Sequence, residues 1–162
     1  MSRHLNEELG AMLDAYDVTR RADEVRKKRL ESEGLAFLAG FAELRAKVVR
    51  PVFEAAGEML KARGHDFAIE EQEFVFEADG KTREAAISLR ITPAGMEGAA
   101  AADARLRELS FTTRHYNKTI SIVNGALPQS GSMATGNHAL PQVDAPLVED
   151  HLLKLVAALV KA

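Results

Sequence analysis

Lys61-Ala62-Arg63-Gly64-His65-Asp66-Phe67-Ala68-Ile69 is the stretch at which the chain changes its period, and its reading decides the fold. Upstream of it, Phe37, Phe41, Leu44, Val48, Val52, Ala55 and Met59 follow at spacings of 4, 3, 4, 4, 3 and 4. That rhythm keeps them on one face of a helix. Leu38, Val49, Ala56 and Leu60 widen the face into one fit for full burial. Lys61 and Arg63 suit the negative end of the helix dipole, and Gly64 suits a left-handed cap. Pro51 interrupts the run: it lacks a backbone donor and crowds the preceding turn, which predicts a kink or restart at Arg50-Pro51.

Downstream of Gly64 the period becomes that of a strand. Phe67 and Ile69 alternate with polar neighbours, and Phe74 to Phe76 is apolar throughout. The acidic stretch Glu70 to Glu73 between them suggests an exposed edge, a bulge or a turn. Ala78-Asp79-Gly80-Lys81 has turn chemistry. Ile87, Leu89 and Ile91 alternate with Ser88 and Arg90 in a second strand. Leu109, Phe111 and Thr113 begin a third, and Ile120 and Ile122 belong to a fourth, joined through Tyr116-Asn117-Lys118. Residues 92–104, with their alanine run, form a connection of low information. Residues 124–143, rich in Gly, Pro, Ser and Asn, read as a long surface loop. Asp144 then caps a final helix with Pro146 in its first turn and Leu152, Val156 and Leu159 on one face.

Toward the N-terminus, Leu5, Leu9, Met12 and Tyr16 follow at spacings of 4, 3 and 4, a narrow helical stripe. Beyond Tyr16 only Val18, Ala22 and Val25 precede Leu30, and Arg20 to Glu33 is mostly charged. Asp17/Arg21, Asp23/Lys27 and Glu24/Lys28 set an acid four residues before a base, which favours a solvated helix. Glu33-Gly34 reads as a break or joint. The expected architecture is therefore α+β: N-terminal helices, a four-stranded antiparallel meander sheet, and a C-terminal helix packed on it. Residues 1–33 form a helical arm suited to dimerisation, and residues 34–162 a single domain.

Composition narrows the function. The chain has 162 residues, 46% hydrophobic and 28% charged, as a globular protein does. It has no cysteine, so neither a disulfide nor a thiolate metal site can form, which fits a reducing compartment. The N-terminus lacks a signal-type apolar core and no long apolar run occurs, so the expectation is a cytoplasmic protein with no membrane partner. High alanine and a preference for Arg over Lys resemble bacterial composition. The net charge of −3 argues against a nucleic-acid partner.

No catalytic constellation emerges. His4, His65, His115, His138 and His151 include no pair at helical metal-ligand spacing, so no metal and no cofactor are expected. Ser130-Gly131-Ser132 lacks a nucleophile elbow, and Gly125, Gly131 and Gly136 make no phosphate loop. Glu71 and Glu73 could share a strand face in a geometry a cation could use. The chemically densest stretch is Thr112 to Thr119. Its Arg114, His115, Tyr116 and Lys118 are candidate ligand residues for an anion or small molecule, with the 124–143 loop as a lid. Arg26-Lys27-Lys28-Arg29 with Arg20 and Arg21 could meet phosphates, but interleaved acids weaken that field and no aromatic is at hand to stack on bases.

The preferred reading is a non-enzymatic protein–protein interaction or assembly domain, a homodimer. Leu5, Leu9, Met12, Tyr16, Arg20 and Lys27 would be its partner-binding residues. The alternatives are a ligand-binding module, or an enzyme, built on the 112–119 hairpin, and nucleic-acid binding by the basic face of residues 20–29.

Overall fold

A computed structural model describes residues 2–77, 80–95, 107–125 and 137–161. The Ala78-Asp79 half of the expected turn, the alanine run, and residues 126–136 of the expected loop with Ser130 and Ser132 lie outside the described residues. The chain divides into two compact units, residues 1–36 and 37–162.

Helix α1 (Arg3–Leu44) begins beneath Ser2, whose hydroxyl accepts the Leu5 N–H at 3.2 Å. It runs unbroken through Gly34, where the sequence suggested a break. A lone glycine costs a helix only about 1 kcal/mol, which the strongly helical residues around it offset. Five residues of π-helix (Arg45–Val49) follow, then α2 (Arg50–Ala62), with Pro51 in its first turn. The expected restart at Arg50-Pro51 is thus made by a π turn, which relieves the backbone where proline cannot donate. Gly64 closes α2 at φ +89°, with Gly64 N–H donating to Lys61 C=O and His65 N–H to Leu60 C=O. This Schellman pattern turns the chain into the sheet.

The sheet is antiparallel, and its helices are segregated from its strands in sequence. Strands β1 (Asp66–Gln72), β4 (Ala86–Thr92), β5 (Glu108–Arg114), β6 (Thr119–Asn124) and β7 (Asn137–His138) lie in that order. Strands β2 (Val75–Phe76) and β3 (Thr82–Arg83) pair separately as a short ribbon. The sheet therefore has five strands where four were expected. The fifth, Asn137–His138, comes from the stretch read as a loop and pairs with Ile120 and Ser121. Two residues carry no alternation of their own, so only the β6 edge defines this strand. Phe74 to Phe76 does not extend β1; that strand ends at Gln72 and the chain turns aside into the ribbon.

Cross-strand register aligns Ile69 with Leu89, Leu89 with Leu109, Ile87 with Phe111, and Phe111 with Ile122. These rows form one apolar face, and Phe41, Val49 and Phe53 join them in a single core with Val148, Leu152 and Leu155. Those last three belong to α3 (Ala145–Lys161), whose first turn is capped by Asp144 Oδ1 accepting Leu147 N–H at 3.0 Å. Helices α2 and α3 thus share the covered face of the sheet. On the opposite face Ser88, Arg90, Ser110 and Thr112 are only half-buried. No helix among the described residues is long and apolar enough to cross a membrane.

Candidate functional site

The β5–β6 hairpin gathers most of the residues singled out from sequence. Lys118 holds its turn at φ +56°, a left-handed conformation unusual for a residue with a side chain. Beside the turn, Glu84 Oε2 lies 2.9 Å from His115 Nδ1, and Glu84 Oε1 accepts from the Thr113 hydroxyl at 3.2 Å and the His115 N–H at 3.3 Å. An ionised carboxylate only accepts, so Nδ1 of a neutral His115 carries the proton and Nε2 keeps its lone pair. Phe74 packs edge-on to His115 at 4.9 Å between ring centroids, with Tyr116 at 6.0 Å and Phe76 at 6.5 Å. The Arg114 guanidinium donates to the Tyr116 hydroxyl at 3.1 Å. Arg114, His115 and Tyr116 therefore stand together around an oriented imidazole, while Lys118 shapes the turn. Glu84, Phe74 and Phe76 were missed from sequence, because the Glu84–His115 pair spans 31 residues and follows no local period.

The paired carboxylates Glu71, on β1, and Glu73, just past its end, have found their cation within the chain. Arg45 donates to Glu73 Oε1 at 2.6 Å and to Gln72 C=O at 3.1 Å, and its Nε lies 3.7 Å from Glu71. Arg50 reaches the same Glu71 at 3.1 Å. A second buried polar group sits beneath α3, where the Asn124 amide donates to His151 C=O at 2.9 Å and meets His151 Nδ1 at 3.3 Å. Among the described residues, His138 Nδ1 is buried without a hydrogen-bond partner. Among the described residues no group of three or more His, Cys, Asp or Glu is placed to hold a metal ion.

Burial holds the His151 imidazole below its usual 6.5; Lys154 and His138 push the same way, and Asp150 opposes them. The folded state binds this proton less readily than the unfolded chain. Stability from this group is full where both states are neutral and falls as pH drops through about 6.5, levelling once the folded-state pKa is passed. Melting temperatures of wild type and His151→Gln, taken between about pH 7.5 and pH 5, should converge as pH falls. A constant offset between the two curves would remove His151 as the titrating group.

Between α2 and α3 runs a groove of about 690 Å³ lined mainly by aliphatic side chains, including Val52, Met59, Leu60, Leu153, Val156 and Val160. On α1, Leu5, Leu9, Met12 and Tyr16 are 47%, 43%, 64% and 63% exposed. None of the described residues 2–36 is buried. Arg20 and Lys27 lie on this same solvated helix. Arg20 pairs with Asp17 at 3.5 Å and Arg26 with Asp23 at 2.8 Å, three residues apart where spacings of four were expected.

No protein-family model, curated protein or solved structure matches this chain.

Proposed function

We propose that this chain is a non-enzymatic assembly domain that forms a homodimer, with residues 5–30 contributing the contact. The observation that carries this reading is the helical unit 1–36, which buries none of its described side chains yet presents a regular apolar stripe. Helices in water draw most of their stability from packing an apolar face against something else. A second copy offers such cover, and identical chains most often close as two-fold dimers. The basic run at residues 20–29 fits a solvated helix, since Arg20, Arg26 and Arg29 are paired with neighbouring acids.

Deletion of residues 1–33 tests the proposal. Every buried member of the core lies at or beyond Phe37, so the remainder should keep its cooperative melt. Sedimentation of the full chain should give a dimer and the truncated chain a monomer. A truncated protein that stays dimeric would overturn the assignment of the contact to residues 5–30. Native mass spectrometry of the full chain separates the rivals. A reproducible small adduct would favour ligand binding at Arg114, His115, Tyr116 and Lys118, and co-purifying oligonucleotide would favour the Arg20–Arg29 face.

A further inference from the structure

The groove between α2 and α3 and the stripe on α1 are each apolar and open to solvent, and both belong to one chain. We infer that the groove is the seat of the Leu5–Tyr16 stripe of a second copy. This rests on the dimer proposed above and specifies its interface.

The groove has the form of a helix seat. Leu60 and His65 gather with Val156, Leu159 and Val160, so the C-terminal ends of α2 and α3 lie side by side and the two helices run in one direction. Met59, Leu153 and Val160 stand on the rim at 67%, 69% and 65% exposure. A continuous apolar channel with large exposed side chains on both banks marks an interaction surface, whereas scattered exposed apolar residues do not.

The stripe has the form of its occupant. Helices that lie in grooves present anchors near i, i+4, i+7 and i+11, as Leu5, Leu9, Met12 and Tyr16 do. At 1.5 Å per residue the four anchors span about 17 Å, and α2 from Arg50 to Ala62 spans about 18 Å. Charge sets the direction. On α1, Glu8 flanks the stripe near its start, and Arg20 lies beyond its end. In the groove, Arg63 stands at the C-terminal end of α2, and Glu149 belongs to the first half of α3, toward the other end. Seating Glu8 near Arg63 sets opposite charges together, whereas the reverse orientation brings Glu8 toward Glu149.

Stripe-to-stripe pairing is the competing geometry, and the sequence weakens it. The rhythm that runs through Leu5, Leu9, Met12 and Tyr16 continues onto Thr19, Asp23 and Arg26. A coiled coil needs about three to four apolar heptads, and this row turns polar after fewer than two. Exchange of stripe for groove closes the pair, because each copy gives one of each and neither is left over.

The test uses full-length variants: Leu9→Glu with Met12→Glu in the stripe, and Met59→Glu with Leu153→Glu in the groove. All four side chains are more than 40% exposed, with Leu9 the least at 43%, so folding should persist and circular dichroism melts check it. Each variant alone should dimerise at least about 100-fold more weakly than wild type. An equimolar mixture should form heterodimers, since the stripe of the groove variant and the groove of the stripe variant are intact. If the groove variant dimerises like wild type while the stripe variant does not, exchange is wrong and stripe-to-stripe dimerisation stands. If both variants dimerise like wild type, the contact lies elsewhere, and the exchange and its assignment to residues 5–30 fall together. If wild type stays monomeric at the highest concentration reached, the assembly reading falls as well. A second pair guards against misfolding: Arg63→Glu should weaken the dimer and Glu8→Arg in the same chain should restore it. Absence of that rescue would overturn the charge-set direction.

Discussion

Replacing Arg45 by Ala should lower the unfolding free energy by about 3 kcal/mol. The guanidinium lies almost wholly inside the protein, at 9% side-chain exposure, and stacks over Phe41 at 5.8 Å from its ring centroid. It donates to Gln72 C=O at 3.1 Å and reaches Ala86 C=O at 3.4 Å. Gln72 and Ala86 are cross-strand partners at the end of the β1–β4 ladder, so Arg45 ties the π turn to the edge strand of the sheet. Removing it leaves those carbonyls without their donor and takes the nearer cation from Glu73. The loss stays at the lower end for a buried ion pair because Glu73 is 70% exposed and Glu71 retains Arg50. Arg45→Lys keeps the charge but cannot span the carbonyls and the carboxylate together, so it should recover less than half of the difference. Urea unfolding of the three proteins measures this directly. A loss under about 1 kcal/mol for the Ala variant would show that the network is dispensable.

The same residues show what could be read in advance. The run from Phe37 to Met59, the cap at Gly64 and the alternation through Ile87, Leu89 and Ile91 were legible because each is a local period matched to one element. Pro51 announced a disturbance, although its form, a π turn from which Arg45 reaches the sheet, follows no local period. Glu71 and Glu73 were legible as a pair fit for a cation; that the cation is Arg45, 26 and 28 positions upstream, was not. Strand β7 and the β2–β3 ribbon have two-residue strands, too short for any period, and exist through pairing. At the hairpin, Arg114, His115 and Tyr116 are neighbours in sequence and could be grouped, while Glu84 and Phe74 reach them only through the fold. The groove was equally hidden, since its two walls come from helices that begin at Arg50 and Ala145.

Phe53→Ala should cost about 3–5 kcal/mol, the largest single loss expected in the molecule. Phe53 is fully buried on α2, and its ring meets the equally buried Phe111 on β5 at 6.0 Å and 52° between planes. This contact joins the helical layer to the centre of the sheet, since β5 lies between β4 and β6 and Phe111 is flanked by Ile87 and Ile122. Around Phe53 the core is formed by regular helix and strand backbone, which collapses poorly into a void, so most of the cavity penalty is retained. For a domain of this size the loss corresponds to a fall in melting temperature on the order of 10–20 °C. Phe111→Ala should cost a similar amount, but the double variant should fall short of the sum by about 1 kcal/mol, because the ring pair can be lost only once. Denaturant unfolding of wild type, both single variants and the double variant closes the cycle. Strict additivity would mean that the two rings contribute through their separate surroundings, and that the link between α2 and the sheet is carried by aliphatic packing alone.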